Sequence, residues 1–241
     1  MKETILATEK LNISYSVRQE KPTVREMDFE INRGEIIGLV GESGSGKSTF
    51  AKAVIGILPH IRGTMVKNTD KIQMVFQDPY SSLNPAKKIG WILEEPLRMQ
   101  TKLSKEERRK RVLEIAKKVE IDEDLLEHYP SELSGGQRQR VCIGVALITK
   151  PELLIADEPV SALDVTIQAQ ILKLLFQLQK EMNLSIIFIS HDLRVVYNMC
   201  SRVYIMKNGE VVEQGDVKDV YQNPQADYTK QLLVAAKIRK R

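Results

Sequence analysis

A glycine-rich octet, Gly41-Glu42-Ser43-Gly44-Ser45-Gly46-Lys47-Ser48, stands directly after the apolar run Glu35-Ile36-Ile37-Gly38-Leu39-Val40. A short apolar run of this kind reads as a buried parallel strand, and the pattern from Lys47 to Gly56 reads as a helix. Parallel strands need crossover connections, so strand, glycine loop and helix in sequence commit the chain to an α/β sheet. The octet has the G-x-x-x-x-G-K-S/T form of a phosphate-binding loop. Glycines let backbone N–H groups curl around phosphate oxygens, and the helix N-terminus adds partial positive charge. Lys47 would reach the β- and γ-phosphates, Ser48 would place its hydroxyl on Mg²⁺, and Thr49 could donate to the α-phosphate. The bland alternative, a flexible glycine turn, leaves the preceding strand, the lysine and the serine unexplained.

Further strand-like runs are residues 71–76 (KIQMVF), 153–156 and 185–189, with a long helical pattern over 165–182. Residues 202–207 and 210–214 alternate around Asn208-Gly209, a hairpin signal. Between 87 and 148 the strand-like runs vanish. Residues 88–99, 104–120 and 135–148 read as helices, and Ser104 with Glu107 matches a capping box. The expected plan is an α/β core (1–86 and 149–215), an inserted helical lobe (87–148) and a short helical tail (216–241). The tail ends in the basic Lys237-Ile238-Arg239-Lys240-Arg241.

Leu153-Leu154-Ile155-Ala156-Asp157-Glu158 is an apolar strand ending in two carboxylates. Beside a phosphate loop, Asp157 would orient Mg²⁺ through water, and Glu158 would polarise the attacking water as general base. Gln77 closes the run KIQMVF and could bind Mg²⁺ or water at the junction with the lobe. His191 follows another apolar run, at the strand end where ligands of such sheets bind, and could contact the γ-phosphate. A lone histidine is otherwise an ordinary structural residue. Tyr15, in the strand-like LNISYSV, could stack on adenine or be a plain strand tyrosine.

Leu133-Ser134-Gly135-Gly136-Gln137 begins a second glycine-rich helix start. Its free N–H groups and the Ser134 hydroxyl would make another anion seat. Two phosphate seats are redundant within one nucleotide site, but two copies of a chain facing each other would use both. Ser161-Ala162-Leu163-Asp164 would lie at the same interface; a plain strand-to-helix loop with Asp164 as N-cap fits the spacing nearly as well.

Bulk properties narrow the partners. A net charge of +4 with 5% aromatics and no basic run interleaved with them argues against a nucleic-acid reader. Cys142 and Cys200 have no metal-ligand spacing and read as reduced thiols. The polar start Met1-Lys2-Glu3-Thr4 lacks a signal peptide's apolar core, and no apolar run nears the ~20 residues that span a bilayer. Any membrane role is expected to come through a partner. The charged stretch 104–120 reads as a solvated amphipathic face or a docking helix, and residues 77–91 are the better docking candidates. The basic end could touch anionic lipid or stay solvated. Trp91 and Cys142 read as packing residues.

Taken together, these motifs resemble the ATP-binding subunits of ABC transporters, and the resemblance covers nearly the whole chain. In that family's terms Gly41 to Ser48 is the Walker A loop, Leu154 to Glu158 the Walker B strand with its catalytic glutamate, and Gln77 the Q-loop. Leu133 to Gln137 is the signature, Ser161 to Asp164 the D-loop, His191 the switch histidine and Tyr15 the A-loop. The resemblance implies a P-loop NTPase of ABC type, a RecA-like core with an antiparallel β portion and an inserted helical subdomain. It also implies a head-to-tail sandwich of two such domains with two ATPs between them.

A narrower resemblance is to the importers of dipeptides, oligopeptides and nickel. It rests on Val75-Phe76-Gln77-Asp78-Pro79 with Ser81-Ser82-Leu83-Asn84-Pro85, on Tyr129-Pro130-Ser131-Glu132-Leu133, on Asp157 through Val165, and on the tail Asn223-Pro224 with Tyr228-Thr229-Lys230. The signature with Pro159-Val160-Ser161-Ala162-Leu163-Asp164 is similar to the second of the two ATPases of such systems. The implied partners are a homologous ATPase or a second copy, two permeases and an extracellular substrate-binding protein. The implied location is the cytoplasmic face of the membrane, peripherally, with ATP and Mg²⁺ as ligands. Many oligopeptide members carry a cysteine-bearing C-terminal extension; without those cysteines no iron–sulfur cluster is expected. The segment between Gly56 and Lys71 is shorter than usual for the family, as if a hairpin were trimmed. The rival class is a soluble ABC ATPase acting on DNA or ribosomes, but such proteins usually fuse two cassettes or insert long coiled coils, and this chain has neither. A GTPase or P-loop kinase is disfavoured by the signature.

Overall fold

The computed structural model describes residues 3–19 and 21–236. The basic end 237–241, including the expected lipid contact, lies outside the described residues. The apolar run before the glycine loop is indeed a strand, Ile36–Val40 (β3), preceded by Thr4–Ile13 (β1) and Val24–Asn32 (β2). Lys47–Val54 (α1) follows the loop, then Ile61–Lys67 (β4) and Ile72–Val75 (β5). A one-turn helix, Pro79–Ser82 (α2), leads into the helical lobe, which comprises Ile89–Gln100 (α3), Lys105–Lys118 (α4) and Gly135–Leu147 (α5), with 3-10 turns at Glu123–Glu127 and Pro130–Glu132. The chain returns through Leu153–Asp157 (β6), Val165–Met182 (α6), Ser185–Ser190 (β7), Leu193–Met199 (α7), Arg202–Lys207 (β8) and Glu210–Asp216 (β9). It ends in Val217–Gln222 (α8) and Asp227–Ala235 (α9).

Two sheets result. The larger runs β5-β6-β7-β3-β8-β9, with parallel pairing from β5 through β8 and β9 antiparallel to β8. The smaller is antiparallel, β2-β1-β4. Period-2 alternation sends the large sheet's side chains into two separate cores. Val40, Leu154, Ala156, Ile186, Phe188, Val203 and Ile205 join the helical core with α3 to α6. Leu39, Leu153, Ile155, Ile187, Ile189 and Tyr204 share the other core with Phe29 and Ile31 of the small sheet and Phe50 of α1. Because both faces are covered, β3, β6 and β7 are buried along their whole length, which is why they read as unbroken apolar runs.

The antiparallel portion was the least legible part. β4 is largely exposed, and its sequence IRGTMVK has no consistent apolar alternation. It is a strand because β1 pairs with it, from Leu6 opposite Lys67 to Ile13 opposite Ile61. The short segment after Gly56 thus holds one strand. Helix boundaries agree with the sequence reading within about two residues. The capping box is present at α4: Ser104 Oγ accepts from Glu107 N, and Ser104 N donates to the Glu107 carboxylate at 2.7 Å. That bond holds the Glu107 carboxyl below its usual range. Ser104→Ala is expected to lower stability by about 1 kcal/mol, read as a shifted urea midpoint with unchanged slope.

Candidate functional site

Parallel strands bring their carboxyl ends to one edge. There β3 opens into the glycine loop, β6 delivers Asp157 and Glu158, and β7 delivers Ser190 and then His191. Gly41 leaves β3 so close to β8 that a Cβ would lie 2.2 Å from the Met206 carbonyl oxygen. Gly46 caps α1 at φ +106, a conformation that side-chain-bearing residues avoid. Both positions therefore require glycine for steric reasons alone. The turn between β8 and β9 backs the loop, since Gly209 N donates to Ser45 O at 3.0 Å.

Lys47 is buried at the centre of this loop. Its ammonium donates to the carbonyls of Gly41 (2.7 Å) and Glu42 (2.9 Å) and to Ser45 Oγ (3.3 Å). Burial pushes its pKa down, and the charges of Glu158, Asp157 and Glu42 push it back up. Ser43 and Gly44 form the exposed crest of the loop, and Ser45 is buried beneath it. Thr49 Oγ1 lies 3.0 Å from the Tyr15 hydroxyl. β1 ends at Ile13, so Tyr15 sits just past the strand, not on it as its sequence suggested, and its side chain stays half exposed beside α1.

Asp157 is buried, and its Oδ1 has no hydrogen-bond partner. Burial pushes its carboxyl pKa up, while a hydrogen bond from Ser48 and the nearby Lys47 and Lys52 charges pull it down. An orphaned buried carboxylate oxygen costs roughly 1–3 kcal/mol or more unless something satisfies it. A hard divalent cation held by oxygen donors does so, and Ser48, Asp157 and Gln77 offer the oxygen chemistry that Mg²⁺ takes. The residues present therefore fit the expected metal.

Glu158 is the hub of the site. Gln77 Nε2 donates to its Oε2 at 3.0 Å, and His191 Nδ1 lies 3.3 Å from its Oε1. Two residues from two other strand ends, far apart in sequence, thus converge on the Glu158 carboxylate. Its backbone is left-handed at φ +48, which costs about 1–3 kcal/mol and is typical of functional positions. The following Pro159 already disfavours the right-handed helical region at this position. Glu158 N donates to Ile189 O at 3.0 Å, and Ser161 Oγ donates to Glu158 O at 3.1 Å, which hold the turn. Asp164 is the N-cap of α6, accepting from Ile167 N at 3.0 Å, so the plain capping role is real. Ser161, Ala162 and Asp164 are exposed and Leu163 is half-buried.

The second glycine pair starts α5. Ser134 and Gln137 form a reciprocal capping box, Ser134 N donating to Gln137 Oε1 at 2.9 Å. Gly135 and Gly136 are the first helical residues, whose N–H groups have no intrahelical acceptor. The two glycines differ in cause. A Cβ on Gly136 would meet Ile167 of α6 at 2.7 Å, whereas one on Gly135 would only touch Leu163 at 3.4 Å. Gly136 is thus fixed by packing, which its motif alone did not reveal. Leu133 is buried. Among the described residues no hydrogen bond joins this segment to the 41–48 loop. Arg138 donates to the Leu133 carbonyl, and its guanidinium stacks 3.9 Å over the Tyr80 ring. Buried Cys142 has its thiol pushed up to about 12 by desolvation, and Trp91 packs beneath Lys87 and Arg98; both serve packing, as expected.

Sequence reasoning marked Tyr228 on α9 only as part of the resemblance and missed its contact with the loop, where its hydroxyl accepts from Glu42 N at 3.2 Å. No local pattern announces that contact, because 186 positions separate the two residues. Among the described residues no helix is long and apolar enough to cross a membrane, and no cluster of metal-binding side chains of the histidine, cysteine or multi-carboxylate kind occurs.

Residues 24–161 match the family described as ABC transporter. The chain is 44% identical over 232 residues to the dipeptide transport ATP-binding protein DppF of Haemophilus influenzae, covering 90% of this chain and 71% of that protein. It is 46% identical over 239 residues to the oligopeptide transport ATP-binding protein OppF of Escherichia coli, covering 91% and 72%. Among solved structures, the ATP-binding cassette MJ0796, a dimer in a post-hydrolysis state bound to ADP and Pi, superposes with a TM-score of 0.76. The identity there is 30%, with 88% of this chain and 98% of that chain covered.

Proposed function

The chain belongs to the ABC transporter family and is an ATPase that works with membrane partners, and we propose that it powers a peptide importer through ATP-driven closure of a dimer. The observation that carries the reading is the convergence of Gln77, Glu158 and His191 beside the Lys47 loop. ATP would seat its phosphates on the amides of residues 41–49, with Lys47 on the β- and γ-phosphates and Tyr15 against the adenine. Glu158 would take the proton from the attacking water. His191 and Gln77, both touching that carboxylate, would hold it on the water and sense the γ-phosphate. Ser48, Asp157 and Gln77 would hold Mg²⁺, which when bound neutralises charge building on the phosphoryl oxygens. Water exclusion comes from closure, which strengthens each of these charge interactions.

The closed state would be a head-to-tail pair, each chain's Ser134, Gly135, Gly136 and Gln137 capping the γ-phosphate held by the other, with residues 161–164 between the two sites. The division into a core (1–86 and 149–215), a lobe (87–148) and a tail (216–241) then has a purpose: the lobe carries the signature, and the docking face lies where the core passes into the lobe. Residues 77–91 would receive a permease segment, so that closure moves the membrane subunits. Peptides are the favoured cargo because both relatives named above are peptide transporters by description; nickel has no comparable support. The partners would be a homologous ATPase or a second copy, two permeases and an extracellular binding protein, with the chain on the cytoplasmic face. A mild-detergent purification of the tagged chain from its own cells tests this. Permeases and a binding protein with bound peptide are the expected companions; ribosomal or DNA-repair proteins without membrane partners would reverse the assignment.

The signature role has its own test. A Cβ at position 135 would make only ordinary contact with Leu163, and a carboxylate is favoured at a helix N-terminus, so Gly135→Asp should fold. Facing a partner's γ-phosphate, it would repel. ATP-dependent dimerisation is expected to weaken at least about tenfold in sedimentation, since like charges juxtaposed at an interface cost several kcal/mol. Unchanged dimerisation would remove the segment from the interface.

A further inference from the structure

We propose that Tyr228, on the C-terminal helix α9, is a positioning residue for the phosphate loop and sets the chain's affinity for ATP. The inference rests on the loop being the ATP seat, as proposed above. Glu42 is the residue it acts through. β3 ends at Val40, so the Glu42 N–H has no ladder partner from the sheet. Its acceptor is the Tyr228 hydroxyl at 3.2 Å. The Glu42 carbonyl, on the other side of the same residue, accepts from Lys47 Nζ at 2.9 Å. Tyr228 therefore fixes the main-chain residue that in turn holds the phosphate-binding lysine.

The tyrosine is itself firmly held. Its side chain is buried, with the Lys207 ammonium 4.6 Å over the ring at the end of β8. The turn before α9 is tied to β9, because the Glu213 carboxylate accepts from Gln225 N (2.7 Å) and Ala226 N (3.0 Å). Leu233, farther along α9, is buried in the helical core. α9 is thus attached by packing of both Tyr228 and Leu233 and reaches the loop through one hydroxyl. A buried aromatic with a polar tip suits that task, since the ring supplies rigidity and the O–H a directed contact. Preorganisation of a binding loop raises affinity by lowering the ordering cost of binding.

Tyr228→Phe keeps the ring and its lysine contact and removes only the oxygen. The expected result is a KM for ATP, and a Kd for a non-hydrolysable ATP analogue, about three- to tenfold higher, with kcat within about twofold, the scale of one lost hydrogen bond. Leu233→Ala is the companion variant: it should lower the melting temperature by loosening α9 while raising the KM less than Tyr228→Phe does, because the hydroxyl that meets Glu42 N remains. A Tyr228→Phe protein with wild-type KM and Kd overturns the proposal, as does a Leu233→Ala protein whose KM rises as much, for then only helix docking matters. Absence of ATP-analogue binding by the wild-type chain would overturn the ATP-seat reading itself, a result distinct from either.

Discussion

Glu158→Gln is expected to cut ATP turnover by about 10²–10⁴-fold, the usual worth of a positioned general base, while ATP binding survives. The substituted amide has the shape of the carboxylate and still offers an oxygen to Gln77 Nε2, now 3.0 Å away. It also keeps the left-handed turn, which is held by main-chain contacts to Ile189 and Ser161. What it loses is the ability to take a proton from water. With closure intact and its release blocked, the variant should accumulate as an ATP-bound dimer. Single-turnover hydrolysis and size-exclusion with ATP read the two effects separately. Hydrolysis at the wild-type rate would take Glu158 out of the chemistry and leave the Gln77–Glu158–His191 cluster as a structural knot.

Lys47→Ala should be of similar size and different in kind. The ammonium is buried and donates to three acceptors of the loop. Its removal leaves the Gly41 and Glu42 carbonyls without that donor and takes a positive charge from the place where phosphoryl charge develops. Loss of one preorganised donor to such a charge costs about 10²–10³-fold in kcat. Unlike Glu158→Gln, this variant should also bind ATP poorly, so no trapped dimer forms. Lys47→Arg is not expected to rescue it, because the planar guanidinium cannot fill a pocket built around a compact ammonium. Equal ATP affinity in Lys47→Ala and wild type would contradict the seat assigned to the phosphates.

The pair of variants also separates the two halves of the site. Lys47 is assigned to the seat, whose lysine contacts all lie within one chain's loop. Glu158 is assigned to the trigger, whose two partners Gln77 and His191 come from two other strand ends and whose closure is proposed to need a second subunit. Binding without turnover, and neither binding nor turnover, are the two distinguishable phenotypes.

The sequence by itself determined which residues gather at the candidate site's edge of the sheet. Buried parallel strands announce themselves as unbroken apolar runs, since both faces are covered. Whatever polar residue ends each run is then carried to the same edge of the sheet. Asp157, Glu158 and His191 were legible for that reason, and Lys47 through the glycine loop that follows β3. Helices α4 and α6 were legible because their caps are local. Tertiary structure alone decided the rest. The exposed β4 exists because β1 pairs with it, and pairing is not written in a strand with no apolar rhythm. Gly136 is required by Ile167 on another helix, and Tyr15 was misplaced on a strand that stops two residues earlier. The hydrogen bond from Glu42 to Tyr228 spans almost the whole chain. Such contacts depend on the distance between elements after they pack, which no local window of sequence encodes.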